Sequence, residues 1–153
     1  HVAGLMQAAG LNVPRVLDWD EPQGFMLLTD LGSRTMMEEI DRDRPENNRP
    51  RYSQAVDALL KWQQASRPGD LPPYDEALLR RELALFPDWY LAKHRGVAVE
   101  GALRETLDKT FDLIVARNLA APQVYVHRDF MPRNLMASSD DTLGVLAFEE
   151  AVY

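Results

Sequence analysis

The chain has 153 residues, of which 46% are hydrophobic and 27% charged, with no cysteine and a formal net charge of −7. This fits one globular domain with a sizeable core and excludes disulfides and thiolate metal sites. The acidic balance argues against a nucleic-acid backbone or an anionic membrane as partner, because both reward basic patches. No apolar run approaches the ~20 residues of a membrane span and no charged-then-apolar leader opens the chain. The expectation is a cytoplasmic protein whose partner is a small molecule or another protein.

In chain order, "VAGLMQAAGLNVP" spaces Val2, Leu5, Met6 and Ala9 helically and then offers Gly10 as a stop, which predicts a helix to about Ala9. "PRVLDWD" and "GFMLLTDLG" read as strands joined by the turn Glu21-Pro22-Gln23-Gly24 into an antiparallel hairpin. Helices are expected from Thr35 onward, interrupted by "DRDRPENNRPR", which lacks periodicity and reads as a solvated loop. Val56, Leu59, Leu60 and Gln63, beside Trp62, mark one helix, closed by "SRPGDLPP". Leu79, Leu83, Phe86 and Tyr90 share a stripe whose helix should kink or break at Pro87. Leu103, Leu107, Phe111, Ile114 and Val115 mark a third helix ending near Asn118. Short strands follow at "QVYVH", "NLMAS" and "LGVLAF", the last two joined by an acidic turn at Asp140 and Asp141. Helix, hairpin, helices and then strands is an α+β order rather than a βαβ alternation.

"VYVHRDFMPRNLM" carries the chemistry. A strand delivers His127, Arg128 and Asp129 into a loop, and Pro132 fixes the backbone before Asn134 opens the next strand. Phosphoryl transfer to an alcohol needs such a pair: a carboxylate to accept the hydroxyl proton and an oxygen ligand to hold a metal against the phosphates. H-x-D-x-x-x-x-N is the spacing of the protein-kinase catalytic loop, and all three positions match. The plainer reading, a turn capped by Asp129 with His127 hydrogen-bonded in the core, weighs less because three defined residues fall at fixed spacing.

With "GLMQAAGLNVPRVLDWD", "GFMLLTDLGSRTM", "ELALFPDWYL" and "HRDFMPRNLM", the chain resembles the aminoglycoside phosphotransferase and choline-kinase-like family of the protein-kinase fold. Within it, the chain is most similar to the bacterial N-acetylmuramate/N-acetylglucosamine anomeric kinases of cell-wall recycling. The resemblance implies ATP or GTP as phosphoryl donor, Mg2+ as cofactor, and a small-molecule sugar or amino alcohol as acceptor. It casts Asp129 as catalytic base, Asn134 as magnesium ligand and His127 as the residue that holds the loop. "LLTDLG" resembles the hinge between lobes, where the backbone of Thr29 and Leu31 would meet the adenine edge. Residues 1–31 would then end the N-terminal lobe and 32–153 would form a partial C-terminal lobe with its catalytic loop at 127–134. "FPDWY" offers a carboxylate, Asp88, and aromatic faces suited to the acceptor sugar, although Trp89 and Tyr90 beside an apolar stripe also read as core. His94, near the end of its helix, reads as a favourable dipole contact.

Two departures qualify this picture. The family places a magnesium-binding aspartate after the catalytic loop, in a "D-F/W-x-x-A" setting, where this chain has Ala147 in "GVLAFEEA". Losing a side chain that binds the metal directly should cost ~10²-fold or more in rate. Glu149 and Glu150 are nearby acids, but on a continuing strand Glu149 would sit ~6.5 Å further along the same face as Ala147. The family's glycine-rich loop and strand lysine are also missing, and its C-terminal helices are absent, which predicts uncovered apolar surface near "VLAF" and "MQAAGL". The chain reads as a segment of something longer. The alternatives are a catalytically silent, pseudokinase-like binding module or a segment with no independent activity.

Overall fold

The structure, a computed structural model, describes residues 1–138 and 142–153; the expected turn at Asp140 and Asp141 lies outside the described residues. Helices alternate with two small antiparallel sheets, and the chain divides into two units, His1–Pro72 with Val124–Tyr153 and, separately, Pro73–Gln123.

In the first unit, α1 (Val2–Ala8) buries Met6 and ends before Gly10, whose φ of 83° turns the chain so that Leu11 N–H closes on the Met6 carbonyl at 3.0 Å. Strands β1 (Val16–Asp20) and β2 (Phe25–Leu28) pair antiparallel as expected. The helix expected from Thr35 is one turn, α2 (Met36–Glu39), whose Glu38 carboxylate accepts from the Thr35 N–H at 2.6 Å. That hydrogen bond is the main reason the Glu38 carboxyl lies below its ordinary value. The predicted polar loop holds a short 3₁₀ turn at Pro45–Asn48 and gives its last three residues to α3 (Arg49–Gln64), because proline fits the first helical turn.

After the excursion through the second unit, a 3₁₀ turn (Pro132–Asn134) leads into β3 (Leu135–Ala137), which pairs antiparallel with β4 (Leu143–Val145). The predicted strand "QVYVH" is reduced to a single bridge, Val126 with Val152, their N–H groups reaching each other's carbonyls at 2.8 and 3.0 Å. "LGVLAF" is strand only as far as Val145, because Ala147 takes a φ of 56° and no strand continues through it.

The core of this unit joins Met6, Met36, Trp62, Tyr125, Leu135 and Val145, each no more than 2% exposed. The uncovered apolar surface expected near "MQAAGL" and "VLAF" is therefore not there: Met6 and Val145 are both 0% exposed. It lies instead on β1 and β2, where Val16, Leu17, Trp19, Phe25, Met26, Leu27 and Leu28 are 43–68% exposed. Successive strand residues face opposite ways, so both faces of this ribbon are apolar and open. A two-stranded hairpin in that state is marginal in water, and a patch of this kind marks a surface that another element covers.

In the second unit, Asp75 caps α4 (Glu76–Leu85) by accepting the Leu78 N–H at 2.9 Å. At Pro87, where a kink or break is expected, the α-helix has ended but the chain stays helical. The chain passes from α4 directly into a π-helix, Phe86–His94, and the wider turn carries the proline without ending the helix. Helix α5 (Gly101–Leu119) follows, ending one residue beyond the predicted Asn118.

Trp62 is 1% exposed and stacks on Tyr125 at 4.5 Å between ring centroids, yet among the described residues its indole N–H has no hydrogen-bond partner. An orphan donor costs about 1–3 kcal/mol, while truncating a buried tryptophan to alanine costs about 3–5 kcal/mol. Chemical denaturation should therefore find Trp62→Ala strongly destabilised and Trp62→Phe, which keeps a ring on Tyr125 and removes the orphan, within about 1.5 kcal/mol of the parent.

Candidate active site

Residues 127–134 form a loop pinned at both ends by the backbone of one residue, Leu146. His127, 2% exposed, lies with Nε2 2.9 Å from the Leu146 carbonyl, and the Leu146 N–H donates to the Asn134 carbonyl at 2.9 Å. The pairing of Leu135 with Val145 makes Asn134 and Leu146 the next rung of the β3–β4 ladder, so the hairpin register itself brings Leu146 to the loop.

The partners of His127 assign its tautomer. Nε2 faces a carbonyl, which only accepts, and Nδ1 receives the Asp129 N–H at 3.2 Å, so the ring is neutral with its proton on Nε2. Phe130 packs edge-on against it at 5.4 Å. Burial pushes the imidazole below its ordinary value, outweighing the opposite pulls of the Leu146 carbonyl and of the Asp129 and Glu149 charges.

Asp129 and Asn134 meet. The Asn134 Nδ2 donates to the Asp129 Oδ2 at 2.8 Å and to its carbonyl at 2.9 Å, and the 3₁₀ turn is closed by Asn134 N–H on the Met131 carbonyl at 2.8 Å. With its NH₂ committed to Asp129, Asn134 keeps its amide oxygen for a cation. Asp129 remains exposed.

Arg128 and Ala147 are the two non-glycine residues with positive φ among those described, at 74° and 56°. A side chain in this region costs of order 1–2 kcal/mol. At Arg128 the strain is offset by an ion pair to Glu150 Oε2 at 3.0 Å and a hydrogen bond to the Glu150 carbonyl at 3.3 Å. Ala147 directly follows the residue whose backbone pins the loop, in a conformation that aspartate and asparagine adopt more readily than alanine. The strand geometry expected to carry Glu149 along the face of Ala147 does not exist here, since β4 ends at Val145.

Magnesium requires several oxygen ligands in near-octahedral array. This chain supplies the Asn134 amide oxygen near the Asp129 carboxylate, a methyl at 147, and a Glu150 carboxylate already engaged by Arg128. Among the described residues no three acidic, histidine or cysteine groups cluster as a metal site. The described residues do not make a complete magnesium site.

The hinge stretch is held by the same unit. The Thr29 N–H donates to the Arg15 carbonyl at 2.9 Å, and the Leu31 carbonyl accepts from Ser138 Oγ at 3.4 Å. A cleft of roughly 550 Å³ is bordered by Asp30, Leu31, Arg34 and Ser138 but by none of residues 127–134. Asp88 lies in the other unit, exposed on the π-helix. The anchor at Leu146 and the Arg128–Glu150 pair were not foreseen. The first acts through backbone atoms, which leave no residue signature, while "HRD" followed by "EE" carries at most a charge hint for the second.

The chain is a mixed fold of helices and small sheets; the family model for the phosphotransferase enzyme family matches residues 1–153, and the chain belongs to that family. It is similar to the N-acetylmuramate/N-acetylglucosamine kinases of Pseudomonas aeruginosa (48% identical over 152 residues, 99% of this chain and 44% of the relative), Pseudomonas putida (42% over 149 residues, 97% and 43%) and Neisseria meningitidis (40% over 144 residues, 94% and 43%). The chain thus spans less than half the length of these curated relatives. No helix among the described residues is long and apolar enough to cross a membrane.

The tautomer carries a pH dependence. Because the folded-state value of His127 is depressed, the folded protein binds fewer protons than the unfolded chain below the ordinary imidazole value of ~6.5. Stability is full above that value, falls as pH drops through it, and levels off below the depressed folded value. Thermal melts between pH 8 and pH 5 should show this decline, and His127→Gln should flatten it.

Proposed function

We propose that this chain is a segment of an ATP-dependent phosphotransferase acting on a hydroxyl of an amino sugar of the N-acetylmuramate/N-acetylglucosamine type, in the cytoplasm and in cell-wall recycling. The observation that carries the reading is the Asp129–Asn134 pair on a loop fixed by the Leu146 backbone, in a chain 48% identical to an N-acetylmuramate/N-acetylglucosamine kinase. Residues 1–31 are read as the end of an N-terminal lobe with its hinge and 32–153 as a partial C-terminal lobe. The open hairpin of β1 and β2 supports a segment that further chain covers.

In the proposed reaction the sugar hydroxyl gives its proton to the Asp129 carboxylate as its oxygen forms a bond to the γ-phosphorus of ATP or GTP. The bond from that phosphorus to the β–γ bridging oxygen breaks, and the nucleoside diphosphate leaves. The backbone of Thr29 and Leu31 meets the adenine edge, His127 keeps Asp129 aimed, and Asp88 contributes to acceptor recognition. Asn134 would be a ligand to Mg2+, whose chemistry when bound is to neutralise phosphate charge.

A second reading is favoured by Ala147 together with the engagement of Glu150 by Arg128. On it, the segment belongs to a pseudokinase-like module that binds nucleotide or sugar and transfers phosphate poorly or not at all.

The test uses the full-length protein containing this segment, with N-acetylmuramate and N-acetylglucosamine as acceptors and ATP as donor. The proposal expects phosphorylation that Asp129→Asn abolishes, and a gain of ~10²-fold or more in kcat for Ala147→Asp. Phosphorylation unaffected by Asp129→Asn contradicts the base, and no gain from Ala147→Asp contradicts the assignment of position 147. If the parent is silent but binds sugar, and Ala147→Asp stays silent, the second reading stands.

A further inference from the structure

The two acids that follow Ala147 have no part in the reaction above, yet one of them is bound to the loop. The bridge between Val126 and Val152 is antiparallel, so its register puts Arg128 opposite Glu150, two residues further along on each side. The Arg128 Nη1 takes up that register with two contacts, to the Glu150 Oε2 at 3.0 Å and to the Glu150 carbonyl at 3.3 Å. Glu150 is a firm point to pull against. Ala151 and Val152 behind it are each 4% exposed, and the Ala151 N–H closes a turn on the Phe148 carbonyl at 3.1 Å.

What the pair holds is the turn that aims Asp129. Arg128 stands between His127 and Asp129 with a φ of 74°, and this left-handed residue sends the Asp129 N–H back to the His127 Nδ1. At 3.2 Å that hydrogen bond is at the long end of its range, and left-handed backbone is unfavourable for arginine. A return to extended backbone would swing Asp129 away from the Asn134 amide, which its carboxylate now meets at 2.8 Å. The Arg128 side chain is 18% exposed and that of Glu150 67%, and pairs with so open a partner add little to stability. Placing a reacting carboxylate is a different matter, because a displacement of ~1 Å costs on the order of 10²-fold in rate. Stability and rate therefore separate.

We propose that Glu150 is a positioning residue for Asp129: its carboxylate holds Arg128 in the left-handed turn that sets the Asp129 carboxylate beside Asn134. The inference rests on the proposed function for the role of Asp129 as base. It moves Glu150 from the metal side, where its place after Ala147 would put it, to the loop side.

Two readouts on the full-length protein test this. Amide hydrogen exchange at Asp129 needs no turnover and reports the turn itself, while steady-state kinetics with N-acetylmuramate and ATP report the base. Glu150→Gln should speed Asp129 exchange about tenfold, with Leu146 exchange and the melting temperature unchanged, and lower kcat about tenfold with both KM values unchanged. Glu149→Gln, the same loss of charge one residue away, should leave Asp129 exchange at the parental rate. Asparagine adopts left-handed backbone more readily than arginine, so in an Arg128→Asn background Glu150→Gln should have no further effect on that exchange. The proposal is overturned if Glu150→Gln leaves Asp129 exchange or kcat at the parental value, or if it acts as strongly in the Arg128→Asn background. It is equally overturned if Glu149→Gln acts as strongly, or if excess Mg2+ restores the lost kcat, which would make Glu150 a metal ligand. A parent that transfers no phosphate contradicts the proposed function instead, and the exchange measurement still decides whether Glu150 holds the turn.

Discussion

The backbone of Leu146 is the constraint on which the rest of the site depends. Its N–H and carbonyl hold the two ends of the 127–134 loop at 2.9 Å each, so the separation of Asp129 from Asn134 is set by backbone geometry rather than by the side chains themselves. The constraint reaches further through the β3–β4 hairpin. Val145 N–H donates to the Asn12 carbonyl at 2.8 Å on one side, and Ala137 N–H to the Arg34 carbonyl at 2.9 Å on the other. Gly144 allows the hinge to lie across this sheet, since a Cβ there would come within 2.9 Å of Leu31 Cδ1 and 3.1 Å of Met136 Cβ. Hinge and loop are thereby mounted on one small sheet.

The two left-handed residues on either side of this constraint differ in consequence. Arg128 is held by Glu150, so its strain is offset locally. Ala147 has no polar side chain to do the same, so its left-handed backbone is without side-chain compensation. The same ion pair removes Glu150 from the acids that could substitute at 147. Loop geometry and metal-ligand chemistry therefore point in different directions within a few residues, and this tension separates the two functional readings.

Much of this was legible in the sequence, for physical reasons that differ by element. The loop was legible because its chemistry needs side chains of fixed type at fixed spacing. The β1–β2 hairpin was legible because a Pro-Gln-Gly turn separates two β-rich runs, and α3 and α5 because their apolar residues repeat at helical spacing. The π-helix was not, since Pro87 signals a break under α-helical geometry and nothing in the sequence announces a wider turn. The strand expected through Ala147 failed because an apolar run cannot reveal a left-handed residue. The location of the exposed apolar surface was misjudged for a related reason: the "MQAAGL" and "VLAF" stretches find cover through contacts distant in sequence, such as the bridge from Asn12 to Gly144.

Amide hydrogen exchange at Leu146 tests the central claim most directly, with the Val145 amide, bonded to Asn12, as internal reference. If the Leu146 backbone pins the loop, its N–H exchanges as slowly as that of Val145, through opening of the whole unit. Exchange at Leu146 faster by about 10²-fold or more, with Val145 still protected, would mean that the loop opens on its own and that its geometry is not fixed by this residue.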